Sequence, residues 1–437
     1  MTALLLRLPV LSPLVLGPAF TLAVITVTML LVRRVPQWRR LAAGAAAAGA
    51  SVGAAALWVV EDRLGLIGSP LPWATRAWVI ACFAALGLTV ANWHRSRMLR
   101  KVGATLGAVV VLATTGLGIN AGFALNPTLG SVLGISTDSA VALPPMPGGT
   151  SSPSTREPAA VGRPLWQTWT APVGMPAIGT TGTAVIPGLV SGFAARPAGI
   201  YLPPAALTTS PPALPLVVLM MGQPGNPDPA FVADVLNRYA AQHHGLAPIV
   251  IVADQLGNPS TDTLCLDTKP YGNVETYINT DVVLWARKHL HVLPDRRHWT
   301  IAGYSHGGQC AISFAAKHPD LWGNVLDVSG EEYPGAEHPG RTLTEIFSGN
   351  QAAYDAQRPV NLLAARRFPD TTAIFTISTD DPTFMPGVKR VASAAGAAGM
   401  KVTSIELSGV GHLAAALGAG LDKGFRVLYP RLGLSQQ

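Results

Sequence analysis

Four stretches of this 437-residue chain, 13–32, 41–60, 77–92 and 102–125, contain no Asp, Glu, Lys, Arg or His. Inside a bilayer no water satisfies the backbone, so a crossing segment must be helical, and about 20 apolar residues suffice. The first third of the chain is therefore expected to form four membrane-spanning helices, the third extending into its flanks. A removable signal peptide would account for only one such run. With 49% hydrophobic and 13% charged residues, the chain is also too apolar for an ordinary soluble protein.

Charge placement orients these helices. The formal net charge of +7 resides in two blocks, Arg33-Arg34-Val35-Pro36-Gln37-Trp38-Arg39-Arg40 and His94-Arg95-Ser96-Arg97-Met98-Leu99-Arg100-Lys101, and the rest of the chain is close to neutral. This is a topology signal; it leaves no basic patch for nucleic acid, and no nucleic-acid partner is expected. Both blocks fall between spans, first to second and third to fourth, which places them in the cytoplasm. The amino terminus and everything after residue 125 are then extracytoplasmic, as in a multi-pass cell-membrane protein. The spans carry no ionisable group of the kind that marks a transport pathway, and Gly49/Gly53 and Gly103/Gly107, four apart, suit close helix packing. They read as an anchor in contact with membrane lipids.

The expected organisation is a four-span anchor at 1–125, a linker at 126–178 rich in Pro, Gly, Ser and Thr, and an extracytoplasmic domain at 179–437. In that last part, apolar runs at 199–202, 214–221, 248–253, 299–302, 325–328, 373–377 and 402–407 alternate with helical patterns at 230–242, 274–289, 309–317, 386–398 and 413–428. Such alternation predicts an α/β domain with a mostly parallel sheet covered on both faces.

Between the run at 299–302 and the helical pattern at 309–317 stands Gly303-Tyr304-Ser305-His306-Gly307, a G-x-S-x-G nucleophile elbow. The same spacing recurs at Gly49-Ala50-Ser51-Val52-Gly53, with no strand before it, so only Ser305 has the required context. A serine nucleophile needs a histidine base and an acid that orients it, following in the order Ser, Asp/Glu, His. His412, in a Gly-flanked loop after the 402–407 strand, is the expected base. The other histidines lie before the elbow, beside prolines or at helix ends, or, for His306, directly after the nucleophile. Asp381, followed by Pro382 after the 373–377 strand, is the expected acid, with Asp380 the alternative and Glu331 or Glu332 a third option otherwise read as solvated loop acids.

An oxyanion hole draws one backbone N–H from the residue after the nucleophile, here His306, and one from the loop after the third strand. There Pro224 cannot donate and Gln223 is the natural choice. Asp254, Asp262 and Asp267 fall on the carboxyl edge of the sheet near the pocket, each read by default as a solvated loop acid. Outside the cytoplasm Cys265 and Cys310 can form a disulfide; two separate buried thiols are the alternative. There is no H-E-x-x-H, C-x-x-C, P-loop or dinucleotide fingerprint, so neither metal nor cofactor is expected.

Taken together, Tyr201-Leu202-Pro203-Pro204, Met221-Gly222-Gln223-Pro224-Gly225, Gly303 to Gly308, Asp381-Pro382 and Gly411-His412 resemble the putative-esterase family of α/β-hydrolases, which includes esterase D-type enzymes and antigen 85-type mycolyltransferases. The resemblance covers residues 180 to 430, and the four-span part looks like the anchor of membrane-bound actinobacterial esterases. It implies acyl-ester chemistry through an acyl-enzyme, resolved by water in an esterase or by a sugar or lipid hydroxyl in an acyltransferase. A non-catalytic envelope protein that kept the fold would have no need of all three triad residues. The family often has His-Gly where this chain has Met221-Gly222, so the support of the oxyanion loop is expected to differ.

Overall fold

The computed structural model describes all residues except 1–4, 7, 35, 64–70, 72, 95, 124–125, 134–138, 145–162 and 437. The chain forms two compact units, Met1–Thr137 and Asp138–Gln437.

Among the described residues, the first unit contains four helices long and apolar enough to cross a membrane, α1 (Pro13–Leu31), α2 (Trp38–Trp58), α3 (Trp73–Trp93) and α4 (Met98–Phe123). Small residues let them approach. A side chain on Gly49 would strike the Phe83 carbonyl, one on Gly87 the Ala45 carbonyl, and one on Gly107 the Thr26 methyl. The serine of the first G-x-S-x-G copy is therefore an ordinary residue of α2. The free carbonyls ending α1 are satisfied from outside it: Trp38 Nε1 donates to Leu31 O at 2.8 Å, Asn92 Nδ2 to Leu30 O at 3.0 Å and Arg100 Nη2 to Val32 O at 2.9 Å.

The stretch read as a linker is ordered at both ends. Thr128 caps the short helix Leu129–Val132, and Val10 N donates to Pro127 O. On the other side Val141 N donates to Thr183 O, and Trp169 Nε1 to His244 O. Its centre, 145–162, lies outside the described residues.

The second unit is built on an eight-stranded sheet: β1 (Thr180–Ala184), β2 (Ala198–Leu202), β3 (Leu216–Met220), β4 (Ile249–Ala253), β5 (Trp299–Tyr304), β6 (Asn324–Val328), β7 (Thr372–Ser378) and β8 (Lys401–Leu407). The spatial order is β1-β2-β4-β3-β5-β6-β7-β8. β2 pairs antiparallel with both β1 and β4, and all other pairs are parallel. The inner strands read as continuous apolar runs because both of their faces are covered.

Among the described residues, five longer helices flank the sheet: α5 (Ala230–Gln242), α6 (Val282–His289), α7 (His306–Lys317), α8 (Met385–Ala397) and α9 (Ala414–Arg431). Gly420 and Gly424 of α9 lie against Val328 and Leu326, whereas Gly308 of α7 lies against Asp327. Successive strand residues point to opposite faces, so α7 and α9 cover opposite sides of the sheet. The order of connection reverses beside β3, and both β3 and β5 end at this switch point, where open α/β sheets hold their ligands.

Candidate active site

The elbow has the backbone its sequence requires. Ser305, between β5 and α7, stands at φ 54° and ψ −118°, a conformation costing about 1–3 kcal/mol for a residue with a side chain. Its surroundings enforce it. Ser305 N donates to Val328 O at 2.9 Å, while Ser305 O accepts from Gly308 N at 2.9 Å and Glu331 N at 3.3 Å. A Cβ on Gly303 would overlap the Gly307 carbonyl, and one on Gly307 the Met220 carbonyl, so both glycines of the motif are sterically obligatory.

Three side chains meet at the carboxyl edge. Ser305 Oγ lies 2.9 Å from His412 Nε2, and His412 Nδ1 lies 2.6 Å from Asp381 Oδ2. With Asp381 ionised, the consistent tautomer carries the proton on Nδ1 and leaves Nε2 to accept from the serine hydroxyl. The loop that brings His412 here turns through left-handed glycines, Gly409 at φ 75° and Gly411 at φ 59°. Asp381 is buried, and its Oδ1 accepts from Phe384 N at 3.2 Å. Asp380 instead accepts from Gly409 N and so fastens the histidine loop. Two further residues hold the imidazole. The Phe384 ring stacks on it at 3.9 Å and 13°, and Tyr304 Oη donates to the His412 carbonyl. Burial, reinforced by the Asp381 charge, raises the Tyr304 phenol well above its ordinary value, so it remains a donor. Neither residue was singled out from sequence. Their signal was adjacency, Tyr304 inside the elbow and Phe384 three residues past the acid.

Residues 194–413 match the family described as putative esterase. The chain belongs to that family. An uncharacterised protein of Corynebacterium glutamicum is 31% identical over 393 residues, covering 87% of each chain; a match of that extent is longer than the second unit and so reaches into the helical unit. Solved structures similar to this chain include a ferulic acid esterase (17% identity, TM-score 0.49, covering 58% of this chain and 99% of that one). Another is an S-formylglutathione hydrolase from Agrobacterium tumefaciens (17%, 0.49, 59% and 97%).

In this family member the loop after β3 runs beside the nucleophile because Gly222 leaves room for it: a Cβ there would meet the Tyr304 ring at 3.1 Å and Ser305 Cβ at 3.3 Å. The Gln223 side chain donates to Ser260 O at 2.7 Å, and Gly225 N to Pro259 O at 3.0 Å. Among the described residues, neither the Gln223 N–H nor the His306 N–H is taken by a protein acceptor. The support expected to differ from the family's His-Gly comes from Gln255, whose Nε2 donates to the Met221 carbonyl at 2.5 Å. The His306 ring is buried and pairs through Nε2 with Asp262 Oδ1 at 3.1 Å. Burial by itself would raise the Asp262 carboxyl; the hydrogen bonds it accepts from His306 and from the Leu264 N–H outweigh it and hold the acid below its usual range.

Two default readings of solvated loop acids fail. Asp254 is buried and binds the Arg196 backbone N–H at 2.7 Å and its guanidinium at 2.6 Å, since a carboxylate removed from water must be paired. Glu331 is buried as well. Burial, then the Asp262 and Glu337 carboxylates, raises it well above the carboxylate range, and the acid that meets His412 is Asp381 instead. Glu332 pairs with Arg390 at 2.6 Å, and Asp267 accepts from Thr276. Cys265 and Cys310 are joined in a disulfide. With His306 they form a buried cluster of metal-ligand types, but sulfurs spent in a disulfide are not thiolate ligands.

Proposed function

We propose that this protein is a membrane-anchored, extracytoplasmic serine esterase that cleaves carboxylic esters, with acyl esters of envelope lipids as its substrates. The observation that carries the reading is the Ser305–His412–Asp381 alignment at the end of β5, within a chain of the esterase family. In this reading His412 Nε2 takes the Ser305 proton as Oγ attacks the acyl carbonyl. The Gln223 and His306 N–H groups receive the oxyanion. Collapse expels the alcohol, which His412 protonates, and leaves the acyl group on Ser305. Water then attacks with His412 as base and releases the acid. Asp381 fixes the tautomer and stabilises the imidazolium, and the chemistry calls on no cofactor.

The lipid part of the proposal rests on four helices of membrane-crossing length with their basic loops between alternate pairs. Incubating the full chain and its Ser305→Ala variant with a panel of envelope lipid esters tests it. Ser305-dependent release of free acid supports the reading. Transfer of the acyl group to an added sugar or lipid alcohol in preference to water would make the protein an acyltransferase. A carboxyl-terminal tag found in the cytoplasm would overturn the extracytoplasmic placement.

A further inference from the structure

The two N–H groups assigned above to the oxyanion hole come from different elements, the loop after β3 and the start of α7. Between them stands Gln255, two residues beyond β4 and 1% exposed. We propose that Gln255 is a positioning residue that locks these two halves of the oxyanion hole together through the two hydrogens of its side-chain amide. The proposal rests on the serine-esterase reading.

Nε2 of Gln255 lies 2.5 Å from the Met221 carbonyl and 3.4 Å from His306 Nδ1. A primary amide nitrogen carries two hydrogens and accepts none, so both contacts must be donations. Met221 immediately precedes Gln223's neighbour Gly222, and His306 supplies the other N–H from its own backbone. Donation to Nδ1 requires that nitrogen to be unprotonated, which places the ring proton on Nε2, where Asp262 Oδ1 accepts it at 3.1 Å. Gln255 therefore donates outward in both directions, to the Met221 carbonyl and to the His306 ring, and His306 in turn donates to Asp262. Gln255 is itself held: its backbone carbonyl accepts from Thr263 Oγ1 at 2.7 Å, and the disulfide at Cys265 ties the same segment to α7. Other bonds from residues 259 and 260 to the Gln223 loop reinforce one half only; Gln255 touches both. A misplacement near 1 Å at such donors costs up to about 100-fold in rate.

The test is steady-state hydrolysis of p-nitrophenyl butyrate by the full chain and Gln255→Met, which keeps length and loses both hydrogens. Rates are normalised to the active-site count given by fluorophosphonate titration. The expected result is a kcat/KM per active site reduced by about 10- to 100-fold, with the inhibition constant of a trifluoromethyl ketone, a mimic of the tetrahedral adduct, weakened by the same factor. A purely structural residue would lower the count of active sites and leave the per-site rate and the inhibitor unchanged, and that result overturns the proposal. Should Gln255→Met not fold, Thr263→Val, which removes the bond holding the Gln255 backbone carbonyl, is expected to shift both quantities in parallel to a smaller extent. No shift there overturns it equally. A wild-type protein without Ser305-dependent turnover would instead refute the esterase reading.

Discussion

Asp380 and Asp381 are neighbours with different work, and the difference is measurable. Asp381→Asn should leave the fold intact and reduce kcat by about 10⁴, because the amide favours the wrong His412 tautomer. Asp380→Asn should cost far less, since its contact is to the Gly409 N–H and an amide oxygen can still accept. Rates of both variants on one soluble ester compare them directly. A second residue-scale expectation concerns Asp327, whose carboxyl is fully enclosed against Gly308 and Gly330. Burial pushes its pKa to about 7, against the opposing Gly330 N–H. Because the folded state holds this proton more tightly than the unfolded chain, its stabilisation is complete below about pH 4 and is lost as pH rises through about 7. Asp327→Asn, a mimic of the protonated acid, should flatten that part of the thermal-midpoint profile and raise stability above pH 7. An unchanged profile would contradict the assignment.

Sequence made the three residues of the proposed triad legible, and the structure brings their side chains together: Ser305 by its two glycines, His412 by its glycine-bordered loop, Asp381 by its place after a strand. Hidden were the residues packed around them. Gln255 and Phe384 belong to no motif, the elbow leaves the side chain at His306 unspecified, and the contacts of all three depend on which loops the fold brings together.

At the level of elements, the elbow depends on close backbone approach. Gly303→Ala would drive a methyl group into the Gly307 carbonyl, so the variant should lose Ser305 reactivity and several kcal/mol of stability, read by probe labelling and thermal melting. The segment after β4 is fastened to α7 by the Cys265–Cys310 disulfide, which closes a loop of 45 residues. In the chain-entropy view that link contributes about 4 kcal/mol. Paired Cys265→Ser and Cys310→Ser substitution should lower the melting midpoint by a corresponding amount, and an unaltered midpoint would show that the link does not form. Seven of the eight strands were readable as apolar runs. β1 was not, because Thr-Thr-Gly-Thr-Ala is a short, half-exposed edge strand with neither alternation nor an apolar face. The 274–289 helical pattern was readable too, but it contains a wider turn at Tyr277–Asp281 between Val274–Thr276 and Val282–His289.

For the whole molecule, sequence announced two architectures in one chain, because charge-free runs and strand–helix alternation are independent signals. The boundary was harder to read. The Pro- and Ser-rich composition of 126–178 suggests a single linker, yet its ends are hydrogen-bonded into the two units, contacts that composition does not reveal. The proposed chemistry depends on Ser305 being an activated nucleophile. The most direct measurement is covalent labelling of the full chain by a fluorophosphonate probe beside Ser305→Ala and His412→Ala. Labelling of the native protein is expected, abolished in the first variant and strongly slowed in the second; a folded native protein that takes up no probe, or takes it up equally without Ser305, would show that Ser305 is not an activated nucleophile.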